Sequence, residues 1–309
     1  MKTADWQLHT PVAFIIFYRP DTTARVFEEI RRARPAKLLV VADGPRPDRP
    51  GEAEKVAAAR AIIEQVDWPC EVLKNYSDIN LGCRRRVSSG LDWVFQTVEE
   101  AIILEDDCLP HPTFFRFCEE LLERYRDDKR IGMISGDNFQ FGRKRTKYSY
   151  YFSRHCHIWG WASWRRAWTN YDVDMRLWPE ISSDNWLKTV FKRKRDVKLW
   201  NNIFCSVYDN KINTWDFQWT FCCSINHTLS IMPSVNLVSN IGFIAESTHT
   251  AHYNIFSNMK VEAMSFPLRI PPFMLVDVEA DNYTMKNNFD DNINVISALI
   301  RRIGKYIKN

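Results

Sequence analysis

Residues Ala101-Ile102-Ile103-Leu104-Glu105-Asp106-Asp107 carry the strongest chemical signal in the chain: an apolar run that stops on three consecutive carboxylates. Four apolar residues suit a buried strand, whose interior has no place for unpaired charge. The acids therefore belong at its carboxyl end, where the open crevice of an α/β sheet lies. Crowded carboxylates repel one another, and a divalent cation with hard oxygen ligands relieves that repulsion. An acidic turn that binds nothing is the competing reading. Arg84-Arg85-Arg86 follow Gly82 where a helix should begin, so one or two of them could reach a phosphate while the rest point elsewhere. Asp216 stands between Trp215 and Trp219, a setting that excludes water and raises a carboxyl pKa; a helix cap or an ion pair is its plainer role.

The elements around these residues alternate. Strands are predicted at Val12–Tyr18, Leu38–Ala42, Cys70–Leu73 and Ala101–Leu104, and a further apolar stretch covers Ile131–Ile134. Helices between them carry apolar stripes, as in Val87, Leu91, Val94, Phe95 and Val98. This order predicts an α/β fold with a mostly parallel sheet, right-handed crossovers and the spatial strand order 3-2-1-4. Strands one and four then become neighbours, and Arg19 falls beside Glu105, Asp106 and Asp107, with Asp43 one strand over. A cation-binding cluster beside an arginine at a topological switch point suits a diphosphate carried on a metal. No G-x-G-x-x-G or Walker lysine motif is present, which disfavours a nicotinamide cofactor and a P-loop.

Composition narrows the class. The chain has 309 residues, enough for one large α/β domain or two smaller ones, and its net charge of +4 calls for no nucleic-acid partner. Nine of the 12 Trp fall between Trp159 and Trp219, a density that suits an aromatic core or a sugar-stacking surface. Trp161, Trp164 and Trp168 have the spacing of a buried helical stripe. None of the 8 Cys forms a C-x-x-C pair, so zinc is disfavoured and reduced thiols in a cytoplasmic protein are expected. The run Val12–Tyr18 is too short for a leader, and no stretch approaches a spanning helix. Lys192–Lys198 is a basic run, by default solvated, with phosphorylated glycan or lipid as the sharper option. The last segment, Asn292–Lys308, reads as a basic amphipathic helix that either packs on the domain or makes peripheral contact with the inner face of a membrane.

The ordered blocks IIFYRP, VVADGP, NLGCRRR, ILEDDCLP, ISGDNF, WGWASW, TWDFQW and NIGF…STHT resemble bacterial nucleotide-sugar glycosyltransferases of the GT-A fold, and are most similar to the N-acetylglucosaminyltransferase I group. The likeness covers about residues 10–285. It implies a GT-A type Rossmann-like sheet with a donor-binding half at 10–138, an acceptor-binding and catalytic half at 139–285, and a C-terminal helix at 286–309. It implies Mn²⁺ or Mg²⁺ on Asp107, completed by a late His, His249 first and His252 next. It places Glu105 and Asp106 against the sugar or ribose, Arg19 and Asp43 against the uracil edge, and Arg85 on the donor. Asp216 matches the catalytic base in a block shifted by one residue; the tryptophans crowded around Gly160 and beside Asp216 place Trp159, Gly160 and Trp215 as acceptor-side candidates. The activity implied is inverting transfer from a UDP-sugar, such as UDP-N-acetylglucosamine, to a surface glycan or glycolipid such as lipopolysaccharide or capsule. Two other classes stand beside it. A sugar-nucleotide pyrophosphorylase would need a Gly-rich, basic first loop where Tyr18-Arg19-Pro20-Asp21 stands. A glycan-binding module without catalysis would have no use for the acid cluster.

Overall fold

A computed structural model describes residues 6–242, 256 and 258–288. Its centre is an eight-stranded mixed sheet ordered β3-β2-β1-β4-β8-β6-β9-β7. The strands are β1 (Val12–Ile16), β2 (Lys37–Ala42), β3 (Glu71–Tyr76), β4 (Glu100–Glu105), β6 (Ile131–Ser135), β7 (Tyr150–Ser153), β8 (Trp161–Trp164) and β9 (Leu229–Pro233). A separate ribbon pairs β5 (Cys108–Pro110) with β10 (Val238–Asn240). The expected 3-2-1-4 order is present and parallel, with Ile15 opposite Glu105 in the β1–β4 pairing. Beyond β4 the sheet departs from the parallel expectation: β8 runs antiparallel to both β4 and β6, and β7 runs antiparallel to β9. Because β8 reverses direction between them, β4 and β6 point the same way, and their carboxyl ends share one edge of the sheet.

Helices cover both faces: α1 (Pro20–Ala33), α2 (Glu52–Ile62), α3 (Gly82–Thr97), α4 (Thr113–Arg124), α5 (Arg165–Trp168), α6 (Trp178–Ser183), α7 (Leu187–Val190), α8 (Lys194–Tyr208), α9 (Asp216–Ile225) and α10 (Val278–Asn288). Strand alternation sorts the core. Val12, Phe14 and Ile16 of β1 meet α1 and α4, whereas Ala13 and Ile15 meet α3, α5 and α9. Pro20 opens α1 with a preset φ, and Val26, Phe27 and Ile30 form its buried stripe. Gly90 lets α3 lie on β2, since a Cβ there would run into the Val41 side chain.

Trp161 and Trp164 do not form a helical stripe with Trp168. They lie on β8, and their i, i+3 spacing sends them to opposite faces of the sheet; Trp168 follows on α5. Trp161 stacks on Trp215 at 5.7 Å, and Trp168 lies 5.3 Å from Trp219, so most of this tryptophan cluster is core. All eight cysteines are free. Among the described residues no helix is long and apolar enough to cross a membrane. The segment Asn292–Lys308, His249 and His252 lie outside the described residues.

Candidate active site

The carboxyl ends of β1, β2 and β4 open into a cleft of about 350 Å³. Two loops converge in it. After β1 the chain turns through Phe17, Tyr18 and Arg19 into α1, and after β4 it ends on Glu105, Asp106 and Asp107. The Arg19 guanidinium donates from Nη1 to Asp107 Oδ2 at 2.6 Å and stands 3.8 Å from Asp106 Oδ1. The Phe17 backbone N–H donates to Asp106 Oδ2 at 3.0 Å, tying the two strand ends together. Sequence reasoning placed these four charges in one crevice, and they meet there.

The acids strain against one another. Burial, then the negative charge of Asp107, Asp106 and Asp216, pushes Glu105 up to about 8, with Arg19 opposing. Its Oε1 is buried without a hydrogen-bond partner among the described residues. Asp106 is pushed up to about 7 by burial and Asp107, against the pull of Arg19 and the Phe17 N–H. A set of hard oxygen donors with an unsatisfied buried oxygen fits a divalent cation. Among the described residues no group of three His, Cys, Asp or Glu side chains is placed to hold a metal by itself.

Asp43 lines the cleft where its position suggested, and it also has a structural role. Both its oxygens are taken by backbone: Oδ1 accepts from Gly44 and Leu81 at 2.9 Å, and Oδ2 accepts from Gly82 at 3.0 Å. Burial raises its pKa while these N–H groups pull it down. The carboxylate thus holds the 77–82 loop against β2, and Asn80 adds a bond from Nδ2 to Gly44 O at 2.8 Å. Gly82, at φ +75°, leaves room for the Asn213 amide.

The three arginines after Gly82 separate by helix phase. Arg84 is buried and donates to Val173 O, while Arg85 is exposed and pairs with Asp174 at 3.0 Å. Arg86 holds Asn75 and faces the cleft. Of the three, Arg86 lines the cleft and Arg85, expected on the donor, does not: about 100° per residue turns only one of the three inward. Tyr18, Arg46, Asn80, Cys83, Asn213 and Thr214 also line the cleft and were not singled out from the sequence.

Asp216 opens α9 just behind Thr214, whose hydroxyl donates to Asp216 Oδ1. Burial raises its pKa, and hydrogen bonds from Thr214 and from the Asp216 and Phe217 N–H groups lower it. Its proximity to the cleft is electrical as well as spatial, since its charge reaches both Glu105 and Cys83. Trp215 is 2% exposed and stacked on Trp161, so its ring supports the wall from behind. Trp159 and Gly160 lie outside the cleft lining. Trp159 packs on Phe139 at 5.2 Å, and Gly160, at φ +63°, accepts from Gly136 N at 2.7 Å. Gly242 was also missed. A Cβ there would lie 2.9 Å from Arg19 Nη1 and closer still to Asp107 Oδ2, so the chain after β10 crosses directly over the ion pair. A buried Asp137–His157 pair, 2.7 Å apart, sits beyond β6 on the same sheet edge.

No protein-family profile matches the chain, and no curated protein matches it. Among solved structures it is similar to a UDP-glucose pyrophosphorylase complexed with UDP-glucose, at 13% identity and a TM-score of 0.27, over 47% of this chain and 62% of that one. The overlap is partial and assigns neither a reaction nor a residue.

Proposed function

We propose that this chain is an inverting, divalent-cation-dependent glycosyltransferase that takes its sugar from a UDP-linked donor and delivers it to a glycan or glycolipid hydroxyl. UDP-N-acetylglucosamine is the first donor to try. The observation that carries the reading is the meeting of Arg19 with Asp106 and Asp107 across the β1–β4 cleft. Cationic and anionic groups at a switch point suit a ligand that itself pairs a diphosphate with a cation. Asp107 would hold Mn²⁺ or Mg²⁺, with His249 as the expected second protein ligand. Bound there, the cation would stabilise the charge that builds on the departing diphosphate.

The chain's own residues supply the rest. Arg19 and Arg86 both line the cleft and suit the diphosphate oxygens. Tyr18 and Asn80, with Asp43, also line the cleft and suit a nucleobase through ring contact and polar edges. Glu105 and Asp106 suit sugar or ribose hydroxyls, because carboxylates accept from several donors at once. Asp216 would take the proton of the attacking hydroxyl, and its raised pKa matches that task better than an exposed aspartate would. Attack opposite the leaving diphosphate inverts the anomeric carbon.

Calorimetry with UDP, with and without Mn²⁺, tests the reading. Binding should be strong only when both are present. Equal affinity in the two titrations, or none in either, would remove the nucleotide-sugar assignment.

A further inference from the structure

The cap formed by α6, α7 and α8 has an outer face for which the nucleotide cleft has no use. Its inner side is ordinary core: Trp178, Leu187, Phe191 and Trp200 are buried together. Outside, Leu177 is 52% and Trp186 51% exposed. The main chain links these two through Ile181, whose N–H donates to Leu177 O at 3.1 Å and whose carbonyl accepts from Trp186 N at 3.3 Å. Lys188, Lys192, Lys194, Arg195 and Lys198 follow at once, and all five are exposed. The cap carries two exposed acids, Glu180 on α6 and Asp184 just after it, but from Asn185 to Tyr208 the only acid is Asp196, which is buried and held by Arg193 at 2.7 Å. Among the described residues no carboxylate pairs with Lys188, Lys192, Lys194 or Lys198.

Two features make this more than a solvated basic face. First, Asp196 in the first turn of α8 takes Arg193 and lies 3.9 Å from Arg195, so the charge left over is that of the lysines, of which Lys194 and Lys198 stand one helical turn apart. Second, an indole and a leucine stand exposed on the same cap, Trp186 immediately ahead of the Lys188-bearing α7. A soluble polyanion would leave both in water. A bilayer takes the indole at the headgroup level, the leucine just below it and the lysines among the phosphates.

We propose that the α6–α8 cap is a docking surface for an anionic lipid bilayer. The far end of α8 leads through Asn210 to Asn213 and Thr214 on the cleft wall, roughly 22 Å along the helix. A docked bilayer would thus lie within one helix length of the cleft. The proposal does not depend on which reaction the cleft performs.

Co-sedimentation of the full chain with phosphatidylcholine vesicles, with and without one-third phosphatidylglycerol, tests it. Binding should need the anionic lipid and weaken at high salt. A triple variant, Lys192→Glu, Lys194→Glu and Lys198→Glu, should lower the partition coefficient at least about a hundredfold, at roughly fivefold or more per lysine removed. Trp186→Ala should lower it further while leaving the melting temperature and UDP affinity unchanged. Bromolipid should quench Trp fluorescence in the parent chain and less in Trp186→Phe. Failure to bind anionic vesicles overturns the proposal. So does equal binding by the triple variant, which would assign the contact to another segment such as the basic C-terminus, and so does heparin binding without vesicle binding.

Discussion

Gly242→Ala is a sharp probe of the site because it adds one methyl at the Arg19–Asp107 contact. The new Cβ would stand 2.9 Å from both Asp107 Cβ and Arg19 Nη1, roughly 0.5 Å short of the 3.4 Å at which ordinary contact begins, and nearer still to the carboxylate oxygen. Arg19 can swing aside. Asp107 cannot easily do so, because it sits between β4 and β5 and its carbonyl accepts from Ile241 N at 2.8 Å. Overpacking of this kind costs about 1–3 kcal/mol. In a chain of this size that lowers the melting temperature by roughly 2–4 °C per kcal/mol. A displacement of about 1 Å in a positioning group costs on the order of a hundredfold in turnover. The decisive measurement is a double-mutant cycle read by thermal unfolding. In an Asp107→Ala background the carboxylate oxygen is gone while the 2.9 Å approach to the residue 107 Cβ remains, so Gly242→Ala should cost at least about 0.5 kcal/mol less than in the parent chain, a coupling that contacting residues show and distant ones do not. Strict additivity of the two changes would refute the close approach of the 240–242 segment to the ion pair.

Three further outcomes follow from the same geometry. Glu105 and Asp106 bind protons more tightly folded than unfolded, so their contribution to stability is full below the ordinary carboxylate range. It is lost as pH rises towards about 8, at up to about 1.4 kcal/mol per unit for each group; denaturant melts of the ligand-free chain should show this slope, and Glu105→Gln should flatten it. Asp216→Asn should lower sugar transfer about 10²–10⁴-fold while calorimetry finds UDP binding unchanged; full turnover would take Asp216 out of the mechanism. Of the three arginines, Arg86→Ala should weaken UDP binding, Arg84→Ala should destabilise the fold by stranding Val173 O and Asn210, and Arg85→Ala should do neither, which paired titrations and melts will separate.

The framework was legible because its signals are local. Strands such as Val12–Ile16 and Leu38–Ala42 are unbroken apolar runs closed by turn residues, and the topological rule for such units then brought Arg19 to the acid tip. What escaped depended on phase or on distant returns of the chain. The inward arginine is fixed by where α3 starts, which sets the helical phase, and a one-residue uncertainty there exchanges Arg85 for Arg86. Trp161 and Trp164 fit a helix and a strand equally well by spacing, and only pairing with β4 and β6 decides between them. Gly242 reaches Asp107 across 135 positions of sequence, through the β5–β10 ribbon, and no local pattern announces that. The buried Asp137–His157 pair likewise joins two loops through the fold rather than through any motif.

The 2.6 Å contact between Arg19 and Asp107 has a thermodynamic consequence. Each partner already neutralises the other, so under the proposed function a lone metal ion would have to displace the guanidinium and a lone diphosphate would have to draw it from its aspartate. Together they would trade places, Asp107 passing to the metal and Arg19 to the phosphates. A cleft of that kind would favour the pair of ligands over either one alone.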